Sequence, residues 1–195
     1  MAVAEQTTGM SLKDFMRLYY EEGAFELVDG KRIPVPTKMF GQINIANELM
    51  LLLNSYARLK GVGRAYVDAP FVTMPDQNNQ WVNASRVPDV MFIRAERLQE
   101  YKRTTPGWEM CPLAISPDLV VEIIGQEDTY LSVMKRVNAY LKEGVRMVWV
   151  IEPSTRSVTV HSGSAGKLPM MSEKDKLSGG DIIPGFEINV EKIFG

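Results

Sequence analysis

Two periods of apolar positions alternate along the chain. In "SLKDFMRLYYEEG", residues 11–23, apolar residues recur at helical spacing behind Ser11 and stop before Gly23, which predicts a capped helix. "AFELVDGKRIPV" gives two short apolar strands around Asp29-Gly30, a dipeptide suited to a tight primed turn, so a hairpin is expected. From Phe40 to Leu59 the helical period returns through Ile45, Leu49, Leu52, Leu53 and Tyr56, with Gly61 as the stop. "RAYVDAPFVTM" and "WVNASRVPDVMFI" are β-branched and aromatic, separated by the polar turn "PDQNNQ", and both read as extended. "RAERLQEY" predicts a short helix and "KRTTPGWEMCP" an exposed loop. There follow the apolar run "SPDLVVEIIG", a helix from about Asp128 to Glu143 stopped by Gly144, the apolar strand "RMVWVIEP" and the alternating "SVTVHSG". Residues 1–10 read as a loose lead-in, and no repeat, low-complexity tract or linker divides the rest. The pattern predicts one α/β domain over residues 1–195 with a mixed sheet.

Composition narrows the chemistry more than the fold. Hydrophobic residues make up 45% and charged residues 24% of the 195, ordinary for a globular domain with one core. The net charge of −2 means that binding to a polyanion must rely on a local basic patch. The one cysteine, Cys111, excludes an intramolecular disulfide framework and suits a reducing cytoplasm. No apolar run suggests a membrane span or a signal peptide, so a cytoplasmic protein without membrane contact is expected. A single histidine, His161, rules out zinc sites built on several His or Cys ligands of one chain. It lies in "SVTVHSG" and reads as a surface residue of an outer strand. Catalysis would then fall to carboxylates, lysines and a hard metal ion.

One carboxylate stands out. Glu122 sits inside the apolar run "SPDLVVEIIG", where an ionised side chain is costly unless it is paired, hydrogen-bonded or bound to a metal. Asp118 points to the same face but lies four strand steps away, roughly 13 Å. It therefore reads as a cap at the strand entrance. Asp89, in "RVPDVMFI", is a second acidic residue inside an apolar strand, next to a proline that tends to end or edge a ladder. Adjacent strands lie about 4.8 Å apart, so carboxylates on the two could share a divalent cation. Separate structural hydrogen-bond networks for the two residues are the alternative.

Four segments in order, "FELVDG" at 25–30, "VPDVMFI" at 87–93, "SPDLVVEII" at 116–124 and "KRVNAYLKEGVRMVWVIEP" at 135–153, resemble the Uma family of restriction endonucleases, within the PD-(D/E)XK nuclease superfamily. The resemblance covers most of the chain. It implies a restriction-endonuclease-like core, a mixed β-sheet flanked by helices, here with an N-terminal helix and β-hairpin. It implies that Asp89 and Glu122 bind a divalent metal, Mg²⁺ or Mn²⁺, with the Ile123 carbonyl as a further ligand and Glu26 completing the shell. The superfamily's lysine would fall at Ile124; a lysine of the following helix, matched by Lys135, is implied to replace it. On a helical wheel the apolar stripe runs through Tyr130, Met134, Val137 and Leu141, with Lys135 on its flank.

Two departures from the family pattern bear on activity. The histidine that often opens the second helix is replaced by Phe40 or Gln42, and the Ser-Pro that often follows the glutamate is replaced by "GQED" at 125–128. Gln42 could orient water or phosphate, and Lys142 could make an outer phosphate contact. The implied function is a metal-dependent DNA endonuclease that cleaves as a homodimer. The alternatives are a catalytically inactive relative that binds nucleic acid or a protein partner, and a scaffold in which Glu122 is satisfied internally.

Overall fold

The computed structural model describes residues 8–75, 80–163, 166–167 and 169–195; residues 1–7 of the expected lead-in and 76–79 of the expected polar turn lie outside them. Numbered along the chain, the first elements are β1 (Met10–Ser11), α1 (Leu12–Glu22), β2 (Phe25–Val28), β3 (Lys31–Pro34), α2 (Phe40–Lys60) and β4 (Gly63–Val67). Then come β5 (Phe71–Thr73), β6 (Trp81–Val82), β7 (Ala84–Arg86), β8 (Val90–Arg94), α3 (Ala95–Thr104) and β9 (Leu119–Ile123). The last are α4 (Tyr130–Lys142), β10 (Met147–Glu152), β11 (Ser157–Ser162), β12 (Gly166–Lys167), β13 (Lys176–Ser178) and β14 (Glu187–Asn189). These pack as two compact units, one drawn from Met1–Pro36, Pro70–Val87 and Gly107–Ser116, the other from Thr37–Ala69, Pro88–Pro106 and Pro117–Gly195.

In the first unit, Ser11 caps α1 by accepting from the Asp14 backbone N–H at 3.1 Å. Asp29 and Gly30 both have positive φ, 49° and 76°, as the primed turn between β2 and β3 requires. The sheet runs β3-β2-β7-β5. Phe15 of α1 packs with Phe25, Leu27, Val72 and Val82 in its core.

The second unit is built on a six-stranded sheet of order β12-β11-β10-β9-β8-β4. β9 and β10 are parallel and the other pairs antiparallel, so the sheet is mixed. A parallel pair needs a long crossover, and α4 supplies it. Leu119, Val121 and Ile123 of β9 join Ile45, Leu49 and Leu53 of α2 in one core cluster with Trp149 and Ile151. Strand alternation sends Val120 and Glu122 to the opposite face. Asp118 serves the strand entrance as expected: its Oδ2 accepts from the Arg94 backbone N–H at 2.9 Å and from Arg97 at 3.1 Å. Among the described residues no helix is long and apolar enough to cross a membrane.

Four expectations are corrected. Residues 81–93 form three strands rather than one extended stretch, with β6 and β7 in the first unit and β8 in the second. Pro88, which has no N–H to give a ladder, lies at the break. The segment 102–112 is not all loop, because α3 runs to Thr104 and Trp108–Met110 form a 3₁₀ turn. The buried stripe of α4 is Val133, Val137 and Tyr140, while Tyr130 is 75% exposed. Both stripes have helical spacing and share Val137, so periodicity alone does not fix the helix's rotation. Finally, His161 is only 5% exposed, because β11 is not an edge strand and His161 pairs with Lys167 of β12.

Candidate active site

The β8–β9 ladder pairs Val90 with Val121, and its extension by one residue sets Asp89 opposite Glu122. Asp89 lies at a bend before β8 and is 7% exposed. Its Oδ2 accepts from the Ile123 backbone N–H at 2.6 Å, and its Oδ1 is paired with Lys38, which also pairs with Asp68. The Asp68 N–H donates to the Asp89 carbonyl at 3.4 Å, bringing the end of β4 to the same place. Burial pushes the Asp89 carboxyl above its ordinary range, against the pull of Lys38. Burial alone would lower Lys38, but Asp89 and Asp68 outweigh it and hold the ammonium above its ordinary value.

Glu122, 6% exposed, has both oxygens engaged by α4. The Tyr140 hydroxyl donates to Oε1 at 2.6 Å and Arg136 Nε donates to Oε2 at 2.7 Å. Arg136 also donates through Nη1 to Asp128 Oδ1 at 2.8 Å. Asp128 Oδ2 in turn accepts from the Gly125 N–H at 2.9 Å. Burial would raise Asp128, but its bond to Arg136 and the backbone bond from Gly125 hold it below the ordinary carboxylate range. Burial likewise opposes the Arg136 charge; Asp128 and Glu122 more than offset it, and the guanidinium stays protonated throughout. The glutamate inside an apolar strand is thus answered by a charged fork and a phenol from one helix face.

The first turn of α2 closes on the end of β9. Gln42 Nε2 donates to the Ile123 carbonyl at 3.3 Å, while Gln42 Oε1 accepts from the Met39 N–H at 3.1 Å. A Cβ at Gly125 would lie 3.0 Å from Gln42 Nε2, so a side chain there would press on the Gln42 amide that holds the Ile123 carbonyl. Phe40, at the place of the family's histidine, is exposed.

The structure therefore brings Asp89, Glu122, Ile123 and Gln42 together. Lys135 and Lys142 are exposed on α4, while Arg136 of the same helix reaches Glu122. Glu26 lies in the first unit, where its Oε1 accepts from the Val87 N–H at 3.0 Å and its Oε2 is 3.8 Å from Arg86. Sequence reasoning missed Lys38, Arg136, Asp128 and Tyr140. Arg136 and Tyr140 are four apart and share a helix face, which is the signal that could have found them. Lys38, in a polar connection, gives no such signal.

Two cations, Lys38 and Arg136, face four carboxylates, Asp68, Asp89, Glu122 and Asp128, an excess of two negative charges when all are ionised. A divalent ion would cancel that excess. The donors available to it, the Asp89 and Glu122 carboxylates and the Ile123 carbonyl, are hard oxygens of the kind Mg²⁺ and Mn²⁺ accept. Among the described residues no group of three or more His, Cys, Asp or Glu side chains is arranged to hold a metal. An ion here would keep several waters, as Mg²⁺ commonly does.

Over residues 12–191 the chain matches the family model described as "Uma2: Putative restriction endonuclease". Its fold resembles the crystal structure of "a putative nuclease belonging to DUF820" from Anabaena variabilis ATCC 29413, with a TM-score of 0.74, 22% identity, and coverage of 95% of this chain and 97% of that one. Among curated protein sequences none matches the chain. The mixed sheet with its N-terminal helix and hairpin is the expected restriction-endonuclease-like fold, and the chain belongs to the Uma2 family.

Proposed function

We propose that the chain is a metal-dependent endonuclease that hydrolyses phosphodiester bonds of DNA in the cytoplasm. The observation that carries the reading is the bond from the Ile123 N–H to Asp89, which ties the two acidic residues of the family pattern to the same end of one strand pair. Mg²⁺ or Mn²⁺ would be held by Asp89, Glu122 and the Ile123 carbonyl. When bound, such an ion polarises a phosphoryl oxygen and lowers the pKa of its water. Tyr140 and Arg136 fix the Glu122 carboxylate in one orientation. Lys38 stands beside Asp89 as a fixed positive charge, and Gln42 orients the strand-end carbonyl. Lys135 contacts a phosphoryl oxygen and Lys142 an outer phosphate. Cleavage of both strands calls for two sites, which a two-fold homodimer provides.

An inactive relative that binds nucleic acid or a protein partner has its own support. Ile124 stands where the superfamily's lysine would fall, and Arg136 already spans Glu122 and Asp128. Incubation of the full chain with plasmid and linear DNA in Mg²⁺, Mn²⁺ or a chelator separates the two. The nuclease reading expects cleavage only with a divalent ion, lost in Asp89→Asn and Glu122→Gln. DNA binding without cleavage in either ion would favour the inactive relative.

A further inference from the structure

Beside the acidic pair, a cleft of about 340 Å³ opens between α4 and the strands β10 and β11. Its apolar lining includes Ile124, Met134 and Val150, its polar side includes Thr159, His161 and the Glu152 carboxylate, and Tyr130 also lines it. The cleft adjoins the candidate active site through Asp128, Ile124 and Val150, the last paired with Glu122 across the β9–β10 ladder. Asp128 lines it, and Arg136 bonds Asp128 at 2.8 Å and Glu122 at 2.7 Å. Tyr130 keeps its ring 75% exposed even though it borders an apolar space. His161 is buried with its strand face turned to the cleft, where a core side chain of β11 would ordinarily be apolar.

We propose that this cleft takes one unpaired nucleobase of the substrate, next to the phosphate that is cut. The inference rests on the nuclease reading and deepens it by naming the substrate as DNA with an unpaired base beside the cut phosphate, in a single strand or extruded from each strand of a duplex. The volume admits a planar heterocycle. The apolar lining accepts its faces, Tyr130 offers a ring to stack on, and Thr159 supplies a hydroxyl for its polar edge. Arg136 ties Glu122 to Asp128, so a phosphate held by the metal beside Glu122 would have an adjoining base near the mouth of the cleft. A base held in a duplex stack cannot enter such a slot without leaving the stack, so an unpaired base is favoured.

Fluorescence anisotropy on the full chain in a chelator tests this with three labelled probes of one length: a thymidine strand, the same strand with a run of abasic residues, and a duplex. The base-bearing strand is expected to bind about tenfold more tightly than the abasic strand, the effect of one stacked base. Tyr130→Ala and Thr159→Trp should each bring it close to the abasic value, while the abasic affinity moves less than twofold and Tyr130→Phe keeps the preference. Tyr130 is exposed, so its alanine variant carries the test even if Thr159→Trp does not fold. Equal binding of base-bearing and abasic strands by the wild-type chain, or equal losses on both probes in Tyr130→Ala, overturns the proposal. If metal-dependent cleavage persists without a base preference, only this inference falls. If the wild-type chain binds no probe in the chelator and cleaves none in Mg²⁺ or Mn²⁺, the nuclease reading falls and takes this inference with it.

Discussion

Arg136 Nε donates to Glu122 Oε2 at 2.7 Å, from a helix face to the strand beside it. The bond joins a side chain that is 29% exposed to one that is 8% exposed, so water screens it only in part. Removing the charge from Glu122 leaves Arg136 with Asp128 alone. In metal-free buffer Glu122→Gln should lose about 1–3 kcal/mol of stability, the usual cost of a hydrogen bond to a charged group. Arg136→Ala should lose at least as much, and the double variant less than the sum. Denaturant melts measure all three. A Glu122→Gln chain as stable as wild type would mean that the bond contributes nothing net and that the carboxylate is held under repulsion.

Tyr140→Phe removes one donor from Glu122 Oε1 and keeps the buried ring. The expected loss is about 1–2 kcal/mol, with metal affinity lowered because the carboxylate can turn. Calorimetric titration with Mn²⁺ reads the second effect. Unchanged affinity would separate Tyr140 from the proposed metal site.

Lys38 pairs with Asp89, so in the proposed metal site it would compete with an added cation. Lys38→Gln should therefore strengthen Mn²⁺ binding severalfold while lowering metal-free stability, and Asp89→Asn should weaken binding sharply. If both substitutions weaken it, Lys38 supports the geometry of the site more than it opposes the ion.

Charge at the phosphate gives a kinetic prediction. Loss of one preorganised contact to developing charge costs about 10²–10³ in rate. Arg136→Ala and Lys135→Ala are compared in turnover, with Lys142→Ala as the outer reference. A loss of that size is expected at Lys135, the proposed contact to the phosphoryl oxygen, and a loss at Arg136 through the released Glu122 carboxylate. Lys142→Ala should alter only DNA affinity, in a salt-dependent way. Equal small losses at all three would count against a charged contact from α4.

The pH dependence of stability has a definite sign at Asp128. Its carboxyl is held below the ordinary range in the folded chain, so the stabilisation is complete above the unfolded value and disappears as pH falls through the folded one. The wild-type chain should lose this part below about pH 4, and Asp128→Asn should lack it. Partial solvation keeps the effect under about 1 kcal/mol. Melting curves across acid pH decide it; identical acid slopes in both chains would remove Asp128 as a source.

The helices and most strands were legible because their apolar periods are unambiguous and their ends carry Ser11, Asp29-Gly30 and Gly61. Asp89 and Glu122 were legible because a charge inside an apolar run demands a partner. The identity of those partners was not. The rotation of α4 turns on whether Tyr130 or Tyr140 is buried, and both fit stripes through Val137; only the hydroxyl's bond to Glu122 distinguishes them. The burial of His161 depends on the pairing of β12 with β11, a tertiary fact carried by two residues of weak strand character. Lys38 is one lysine among the polar residues before α2, and its value comes from a fold that closes β4 against β8.

The bond between Ile123 and Asp89 spans 34 residues of sequence, and β9 reaches its other neighbour, β10, only after α4 has been traversed. Contacts of this range form late, because the loops they close must be ordered before any pairing rewards them. During synthesis, β9 lacks one of its two ladders until residues 147–151 have left the ribosome. The acidic pair therefore depends on order well beyond its own two residues: a substitution that loosens the β9–β10 ladder would disturb the end of β9 without touching Asp89 or Glu122.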